Sequence, residues 1–599
     1  MKKNDENRFK KRWALLFGIA AVLGYAYIIV RYVDLLLRDR DKYIEVVEEN
    51  EVATVERRGR RGNIYDCRGR LVSATLPEYI VYIDLTVPYL HTGIGKDSFP
   101  IWVDRLSYEL SARFGEESPD QLKQRLITSY KRCDPAKHDN GVRLLKRKLS
   151  YDEYKEVCKM TLLNRAPSRG GRVVVERQNR ENLFGGMARR VVGAVYGIDD
   201  TTHTTLGRFG IEQSFDKELS GSKGLYLRQR LGGSPMLKPI TPAEDGCDVV
   251  MTLDMDIQDI CECALREKLI ESQAESACMI LMEVETGEIK SIVNFVQPEP
   301  GNVLQGTNMA LAMNNQPGST FKTVCMMSVL ENEDCDSSTL VLVNGGIGRF
   351  GGKVLHDSHL YKEKYLSLSA VMARSSNVGM AQLVEDVYSN TRAGWRKFSD
   401  DLAEIGFDHH IDIEIKGAAD PIIHRYGEYK EWSGTTMTAM SRGYGVQTTP
   451  LYTLNFYNAI ANDGYYVKPH LVKALRRGGE FVKEFGTERR RNRMCSSNTL
   501  EQIKGMLEGV VSRSDGTAYR FVNSKLFTVA GKTGTARYKM VDDAWRYQIS
   551  FVGYFPADKP KYSAIVVFMC PRFAYTGMYC GGVFKQVAEA VWSMDQAIR

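Results

Sequence analysis

The sequence predicts a protein of several domains, built from both helices and strands and attached to a membrane by one N-terminal helix. The length of 599 residues favours more than one domain, and a hydrophobic fraction of 43% is ample for buried cores. One uncharged apolar run lies near the N-terminus, and no similar run follows it. The rest of the chain alternates strand-like and helix-like patterns.

Composition and charge exclude several classes of protein. The 52 Gly and 18 Pro together make 70 of 599 residues, which is ordinary usage and excludes collagen-like, Pro-rich and disordered chains. The formal net charge is +7, and residues 1–12 contribute +4 of it because they hold six Lys or Arg and two acidic residues. The other 587 residues carry only +3, which gives no support to nucleic-acid binding.

The apolar run is Trp13–Val30, eighteen residues without a charge. As a helix it spans about 27 Å, close to the thickness of a bilayer core. Basic residues precede it and mixed charges follow it, so the positive-inside rule places the N-terminus in the cytoplasm. A cleaved signal peptide is the alternative. The run is too long for a usual signal peptide and Arg31–Asp34 (RYVD) is not a small-residue cleavage site, so an uncleaved anchor is favoured.

Beyond the anchor, residues 100–165 are helix-like and charged, and residues 166–245 are rich in Gly and Arg without a long periodic pattern. Two apolar strands joined at Thr286–Gly287 predict a hairpin. The predicted strands are Tyr79–Leu85, Asp248–Asp254, Ala277–Val284, Glu288–Phe295, Leu526–Ala530, Tyr547–Phe555 and Tyr562–Cys570, and the predicted helices include Ile257–Ser272 and Val583–Ile598.

The twelve Cys are scattered, and none forms a CxxC pair. Cys261 and Cys263 have the wrong spacing for a zinc knuckle. Cys570 and Cys580 flank a short loop, and the sequence leaves open whether they form a disulfide.

The first candidate for catalysis is Pro317–Lys322 (PGSTFK). Pro and Gly break the preceding segment and a helical pattern follows, so Ser319 lies at a helix N-terminus with Lys322 on the same face. A Ser hydroxyl is a poor nucleophile until a base takes its proton, and a Lys amine can do this when burial or neighbouring cations lower its pKa. Alone, the pattern is weak evidence, because a solvated helix start explains it as well.

Two further triplets follow in the chain. Ser375–Asn377 (SSN) interrupts an apolar helical pattern, which a helix N-cap would also explain. Lys532–Thr535 (KTGT) follows the predicted strand Leu526–Ala530, and a Lys with two hydroxyls on a strand edge can bind a carboxylate, while Gly lets a substrate backbone approach. SxxK, SxN and KTG in this order are typical of penicillin-binding proteins and related β-lactamases.

The chain therefore resembles a class B (monofunctional) penicillin-binding protein, a peptidoglycan D,D-transpeptidase. Arg61–Val72 (RGNIYDCRGRLV) and Arg208–Glu212 (RFGIE) are similar to the opening and closing motifs of the family's N-terminal pedestal. Gly246–Asp254 (GCDVVMTLD) resembles the start of the penicillin-binding domain, and Gly443–Leu451 and Gly516–Ala518 fit later positions. The recognisable matches cover most of the chain.

The resemblance implies four catalytic residues. Ser319 would attack the penultimate D-alanine carbonyl of a stem peptide and form an acyl-enzyme, with Lys322 as the general base. Ser375 would relay a proton towards the leaving D-alanine, and Lys532 would supply positive potential.

The resemblance also implies the residues that bind the substrate. Asn377 and Gly534 would contact the substrate, and Thr533 and Thr535 would bind its carboxylate or that of a drug. The backbone N–H groups of Ser319 and Thr535 would form the oxyanion hole.

The implied fold is an α/β penicillin-binding domain, similar to serine β-lactamases, in which a five-stranded antiparallel sheet packs against helices. It stands on an elongated β-rich N-terminal pedestal. The expected divisions are a cytoplasmic tail at residues 1–12, a transmembrane anchor at 13–30, a pedestal or dimerisation-like domain at 31–245 and the transpeptidase domain at 246–599. No metal or cofactor is implied.

Some segments depart from the family or suggest other functions. Val293–Asn302 lacks the family's usual small-residue and Pro pattern, and Cys67 stands where the family usually has Arg or a polar residue. Gly346–Gly351 matches GxGxxG, but no helix pattern follows, so we interpret it as a hairpin loop. His356–His359 (HDSH) is interpreted as surface polar residues rather than half a metal site, and Arg489–Arg493 as a solvated loop.

Three alternatives to a septal transpeptidase remain. The pedestal lacks an obvious elongation-type insertion, which favours the septal over the elongation branch. A class D-like β-lactamase would be shorter and have no pedestal. A non-catalytic β-lactam sensor or scaffold would not need the intact set of catalytic residues.

The resemblance implies stem peptides, β-lactams and the membrane as partners, with a membrane-embedded glycosyltransferase and other division proteins, and no nucleic acid. The expected location is the cytoplasmic membrane, crossed once, with the catalytic domain outside the cytoplasm.

Overall fold

The computed structural model describes residues 2–37, 53–134, 141–196, 206–231, 234–428, 432–539, 545–572 and 577–598. The chain divides into two compact units. The first holds the residues up to 59 together with 221–245, and the second holds the remaining pedestal residues and everything from residue 246 onwards.

The first unit contains the predicted anchor. Lys2–Leu37 is one continuous helix, and Leu15–Val33 within it is long and apolar enough to cross a membrane. This span begins and ends two or three residues later than the predicted run. The unit also holds a three-stranded antiparallel sheet of Ala53–Arg58, Lys223–Leu231 and Ser234–Thr241. The helix fits a single-pass membrane anchor.

In the second unit, a seven-stranded sheet joins strands from both sides of residue 245. Adjacent strands in this sheet run antiparallel to each other, except that Asp248–Met251 runs parallel to Ile64–Tyr65. The predicted strand Tyr79–Leu85 overlaps the second half of a longer strand, Leu71–Ile83, and runs two residues beyond its end. The order is Glu480–Glu484, Val472–Arg477, Asp248–Met251, Ile64–Tyr65, Leu71–Ile83 and Val142–Arg143, with Arg172–Asn182 also paired to Leu71–Ile83.

The helix-like region beside this sheet forms the helices Gly93–Phe114, Pro119–Arg132 and Tyr151–Val157. Pro119–Arg132 begins at a capping box, because the Ser118 side chain accepts from the Gln121 backbone and the Gln121 side chain accepts from the Ser118 backbone. The apolar residues of these helices, such as Phe99, Leu106 and Leu126, share one core. The described short helices and strands between residues 166 and 220 are Pro167–Gly170, Arg189–Val192, Ala194–Val195, Gly207–Phe209, Ile211–Ser214 and Asp216–Ser220.

A buried ion pair connects the two pedestal motifs, which are about 150 residues apart in the chain. Arg61 of the first motif lies 2.7 Å from Glu212 of the second, and Arg180 lies 2.6 Å from the same carboxylate. Glu212 is only 1% exposed. Arg61 also pairs with Asp216 at 2.8 Å, so removing Glu212 would leave the buried Arg180 as the charge without a carboxylate, a loss that typically costs about 3–5 kcal/mol. The pairing explains why both motifs carry charged residues.

The second sheet of this unit is six-stranded and antiparallel throughout. Five long strands match the expected number, and the short strand Asn302–Gln305 adds a sixth. The predicted hairpin is confirmed as Ser276–Glu283 with Ile289–Glu299. The order across the sheet is Asn302–Gln305, Ile289–Glu299, Ser276–Glu283, Tyr562–Cys570, Trp545–Phe555 and Ala530–Lys539.

Helices cover both faces of this sheet. Alternate residues of Ser276–Glu283 point to opposite cores: Met279 packs with the helices Met255–Ser272 and Gly582–Ile598, whereas Ile280 belongs to the core of the other face. The described helices of eight or more residues in that second layer are Lys322–Asn332, Asn377–Tyr388, Arg392–Ile405, Pro450–Ala461 and Ser497–Ser512, and the shorter ones are Met309–Ala312, Leu368–Arg374 and Thr436–Met440. The short helix Tyr519–Val522 packs its Val522 into the core of Met279 instead.

One predicted strand is not formed. The predicted strand Leu526–Ala530 is wrong, because the strand begins only at Ala530. The apolar side chains of this segment pack against other rings instead of forming strand hydrogen bonds: the Phe527 ring stacks on Phe555 at 5.4 Å between centroids and contacts Trp592.

The sequence left open whether Cys570 and Cys580 form a disulfide. In the structure both are buried free thiols.

Candidate active site

The predicted nucleophile lies on a tight turn at the start of a buried helix. Gly318–Phe321 forms one 3₁₀ turn, which we call the nucleophile turn, and the helix Lys322–Asn332 follows directly. Ser319 is half-buried, whereas Lys322 is completely buried. Gly318 has φ +60°, and a Cβ there would lie 2.6 Å from the Thr535 carbonyl oxygen. A larger residue would therefore separate the turn from the strand that carries KTG.

Ser375 and Ser376 lie between two helices, Leu368–Arg374 and Asn377–Tyr388, and Asn377 is the first residue of the second. Ser375 adopts a left-handed conformation with φ +57°, and the Ser376 side chain caps the second helix by accepting from the Gly379 backbone. The N-cap interpretation is thus correct for Ser376. The same reversal of the chain turns Ser375 and Asn377 towards the lysines.

The two lysines meet at the Ser375 hydroxyl. Lys322 Nζ donates to Ser375 Oγ at 3.2 Å, to the Ser375 carbonyl oxygen at 2.6 Å and to Asn377 Oδ1 at 2.8 Å. Lys532 Nζ donates to the same Ser375 Oγ at 2.8 Å. Residues from three distant segments therefore form one hydrogen-bonded cluster at the foot of the nucleophile turn.

Burial controls the charge of both lysines. It lowers the pKa of Lys322 to about 7; the Asp357 carboxylate opposes this shift and the Arg442 guanidinium adds to it. The pKa of Lys532 is also lowered well below its usual range, first by burial and then by the charge of Lys322. The cation expected to depress the pKa of Lys322 was Lys532, whereas the cation that contributes to the shift is Arg442.

The KTG segment lies within the edge strand Ala530–Lys539 rather than after a strand. Lys532 and Thr533 are buried, and the Thr533 hydroxyl lies 2.8 Å from the Thr517 hydroxyl. A Cβ at Gly534 would lie 2.4 Å from Ser550 Oγ and 2.9 Å from Thr320 Cγ2. Gly534 is thus required for packing the nucleophile turn on the strand, a role different from the predicted approach of a substrate backbone.

Sequence reasoning missed Asp357, which was interpreted as a surface polar residue of HDSH. Its carboxylate accepts from the Val378 backbone at 2.9 Å, from Ser376 Oγ at 2.6 Å, and from the Asn377 backbone and the Tyr361 hydroxyl. It therefore fixes the start of the helix that carries Asn377. The preceding GxGxxG segment forms the predicted hairpin, with strands Ile347–Phe350 and Lys353–His356.

Thr517 was the second omission. It belongs to the Gly516–Ala518 motif, to which the sequence assigned no role. Its backbone N donates to the Ala373 carbonyl at 3.0 Å, and its hydroxyl contacts Thr533. Thr517 thus connects the helix before Ser375 to the edge strand. The only signal in the sequence was its position in a matching motif.

Comparison with known protein families matches two domains. The penicillin-binding protein dimerisation domain matches residues 56–251, and the penicillin binding protein transpeptidase domain matches residues 277–590, more than half of the chain. The chain belongs to the penicillin-binding protein transpeptidase family. The chain contains both the transpeptidase domain and the dimerisation domain of penicillin-binding proteins, as the sequence predicted.

Named relatives of this penicillin-binding protein occur in several bacteria. The penicillin-binding protein PbpB of Mycobacterium tuberculosis is 30% identical over 418 residues, 65% of this chain and 58% of that protein. PbpB of Mycolicibacterium smegmatis is 27% identical over 67% of this chain and 62% of its own length, so the match spans less than two thirds of either mycobacterial relative. The peptidoglycan D,D-transpeptidase FtsI of Escherichia coli is 24% identical over 97% of this chain and 91% of that protein.

Solved structures show the same fold. Penicillin Binding Protein 2X from Streptococcus thermophilus superposes with a TM-score of 0.72 at 18% identity, covering 90% of this chain and 80% of that one. Penicillin binding protein 3 from Mycobacterium tuberculosis, solved in complex with aztreonam, superposes with a TM-score of 0.61 at 21% identity, covering 90% and 97%.

Proposed function

We propose that this penicillin-binding protein is a membrane-anchored peptidoglycan D,D-transpeptidase that cross-links stem peptides through an acyl-enzyme on Ser319 and acts in septal wall synthesis. The Ser375 hydroxyl carries the proposal, because it accepts hydrogen bonds from both Lys322 and Lys532 beside the nucleophile turn. The match with the peptidoglycan D,D-transpeptidase FtsI over 91% of that relative supports the substrate class. The pedestal sequence, without an obvious elongation-type insertion, supports the septal role.

In the acylation step, the neutral amine of Lys322 takes the proton of Ser319 Oγ, and Oγ attacks the carbonyl carbon between the two D-alanines. The backbone N–H groups of Ser319 and Thr535 donate to the resulting oxyanion, a type of contact worth about 3–4 kcal/mol. When the C–N bond breaks, Ser375 relays the proton from Lys322 to the departing D-alanine amine. Lys322 is then neutral again, which a pKa of about 7 allows at physiological pH.

In the second step, the amine of a neighbouring stem peptide attacks the acyl carbon. Lys322 accepts the proton that this amine loses and returns a proton to Ser319 Oγ as the ester bond breaks. The products are a cross-linked peptide and free enzyme. A β-lactam follows the first step only: Ser319 opens the lactam ring, and the amine formed stays attached to the acyl group.

The substrate carboxylate is expected at Thr533 and Thr535, with Asn377 contacting the peptide. The bound carboxylate opposes the lowering of the Lys532 pKa, so Lys532 supplies positive charge when the substrate is in place. Because Ala530–Lys539 is an edge strand, a stem peptide can align along its free edge as an added strand. The Thr517 hydroxyl, 2.8 Å from that of Thr533, would orient it for the carboxylate.

The proposal assigns the remaining regions as follows. Residues 13–30 are the anchor, with residues 1–12 in the cytoplasm; residues 31–245 are the pedestal and residues 246–599 the transpeptidase domain outside the cytoplasm. A membrane-embedded glycosyltransferase and other division proteins are the proposed partners.

The direct test is mass spectrometry of the full chain after exposure to penicillin. We expect one adduct, on a peptide containing Ser319, and none in Ser319→Ala. Ser512→Ala, which changes an exposed serine, is the matched control and should be labelled normally. Labelling that persists in Ser319→Ala would refute the assignment of the nucleophile.

A depletion experiment separates the septal from the elongation role. Cells that lose the protein should form filaments with blocked septa, and Ser319→Ala should fail to restore division. Rounded cells that still divide would instead assign the enzyme to elongation.

A further inference from the structure

A second concave site lies in the transpeptidase domain, and none of the proposed catalytic residues lines it. It is a cavity of about 320 Å³. Its walls are the loop 406–412 after the helix Arg392–Ile405, the helix Pro450–Ala461, and the segments 466–469 and 488–490. This volume is at the lower end of the range of small-molecule sites.

Two buried polar side chains line the pocket without a partner. The Tyr466 hydroxyl and Asn455 Oδ1 have no hydrogen-bond partner among the described residues, although Tyr466 is only 6% exposed and Asn455 only 8%. Their neighbour Tyr452 differs, because its hydroxyl donates to Asp420 at 2.6 Å and accepts from the Ile411 backbone at 2.9 Å. Buried polar groups are rarely left unpaired, so the two orphan atoms indicate a polar ligand.

A cation lies over the ring that carries the orphan hydroxyl. The Arg490 guanidinium lies 5.2 Å from the centre of the Tyr466 ring, and its Nη1 would be 3.3 Å from a Cβ at Gly406. Within the described ranges, no carboxylate forms an ion pair with Arg490. Lys468 at the rim, in contrast, lies between Asp412 at 3.4 Å and Glu488 at 3.5 Å. The expectation of a fully solvated arginine run is therefore wrong for Arg490, which is half-buried on the pocket wall.

We propose that this pocket binds a small carboxylate that also carries an N–H donor, the chemistry of an N-acyl amino acid or of the last residue of a peptide. The carboxylate pairs with Arg490, whose planar fork suits it, and accepts from the Tyr466 hydroxyl. The N–H donates to Asn455 Oδ1, and the apolar part packs against Phe407 and Ile411, which line the same pocket. Inorganic phosphate supplies only the charge and is the weaker ligand.

The test is a binding measurement on the full chain in detergent, with 4-fluorohippurate as the probe and ¹⁹F line broadening as the signal. Binding should weaken about tenfold or more when the probe's carboxylate is replaced by an amide, and by a similar factor in Arg490→Gln. Arg491→Gln is the matched control, because Arg491 is exposed and does not line the pocket. Tyr466→Phe, which removes only the hydroxyl, should also weaken binding.

Three results would overturn the proposal. The first is that the ¹⁹F signal is not broadened at about 10 mM probe. The second is that wild type and both pocket variants bind the probe equally well. The third is that phosphate displaces the probe when both are at the same concentration. If Arg490→Gln lowers the melting temperature by more than a few degrees, Tyr466→Phe and the amide probe decide the question. Since no turnover is measured, the result is independent of the transpeptidase assignment.

Discussion

The rate of acylation by penicillin should rise through neutral pH with a midpoint near 7, because only the neutral amine of Lys322 can take the Ser319 proton. Burial lowers the pKa of Lys322 to about 7. With an ordinary lysine pKa, only about 0.04% of the amine would be neutral at pH 7; the buried site raises this to about one half, a gain of about a thousandfold. Acylation should therefore increase about thirtyfold from pH 5.5 to 8.5.

The measurement is the second-order rate constant for labelling the full chain in detergent with a fluorescent penicillin, quenched at timed intervals. Two substitutions should move the midpoint in opposite directions. Arg442→Gln removes a repelling cation and should raise it, whereas Asp357→Asn removes an attracting anion and should lower it. Arg491→Gln, an exposed arginine, should leave it unchanged.

A rate that is flat between pH 5.5 and 8.5 would show that Lys322 is not the base. A midpoint that moves the same way in Arg442→Gln and Asp357→Asn would refute the electrostatic argument, because the two charges have opposite signs. Far-ultraviolet circular dichroism across the pH range would show whether each variant stays folded.

The remaining predictions concern single contacts. Lys322→Arg should slow acylation at least about a hundredfold, since general-base help is typically worth ~10²–10⁴; near-normal labelling would make Lys322 merely structural. Asp357→Ala leaves two backbone N–H groups and two hydroxyls without their acceptor, so it should lower the melting temperature and slow acylation about tenfold, whereas Ser358→Ala, at its exposed neighbour, should change neither. Gly534→Ala forces a Cβ to within 2.4 Å of Ser550 Oγ and should destabilise the protein by about 1–3 kcal/mol in urea unfolding, while Gly486→Ala, with open space around it, should be neutral.

Local patterns predicted the elements whose structure depends on nearby residues. The strand Tyr562–Cys570 has the predicted bounds, and the helix Gly582–Ile598 begins one residue before the predicted one. Alternation and helical periodicity report burial against a neighbouring layer, so they succeed where the segment packs regularly. Leu526–Ala530 failed because the same apolar pattern serves ring packing by Phe527 as well as strand pairing.

The candidate site was predicted as a set of residues but not as an arrangement. SxxK, SxN and KTG predicted Ser319, Lys322, Ser375 and Lys532 as the catalytic set because the chemistry of this family needs those side chains. Asp357 and Arg442 carry no such signature. Each acts through its distance from residues elsewhere in the chain, and a one-dimensional pattern contains no such distance.

The sequence by itself determined the order of the motifs and predicted the reaction class and the anchor, because these depend on which side chains are present and on local hydrophobicity. Only the tertiary structure decided that Lys532 reaches Ser375 across 157 residues and that burial brings the pKa of Lys322 near neutrality. It also decided that Arg490 faces a pocket. Burial and proximity arise when distant segments pack together, and that packing sets the charge of Lys322.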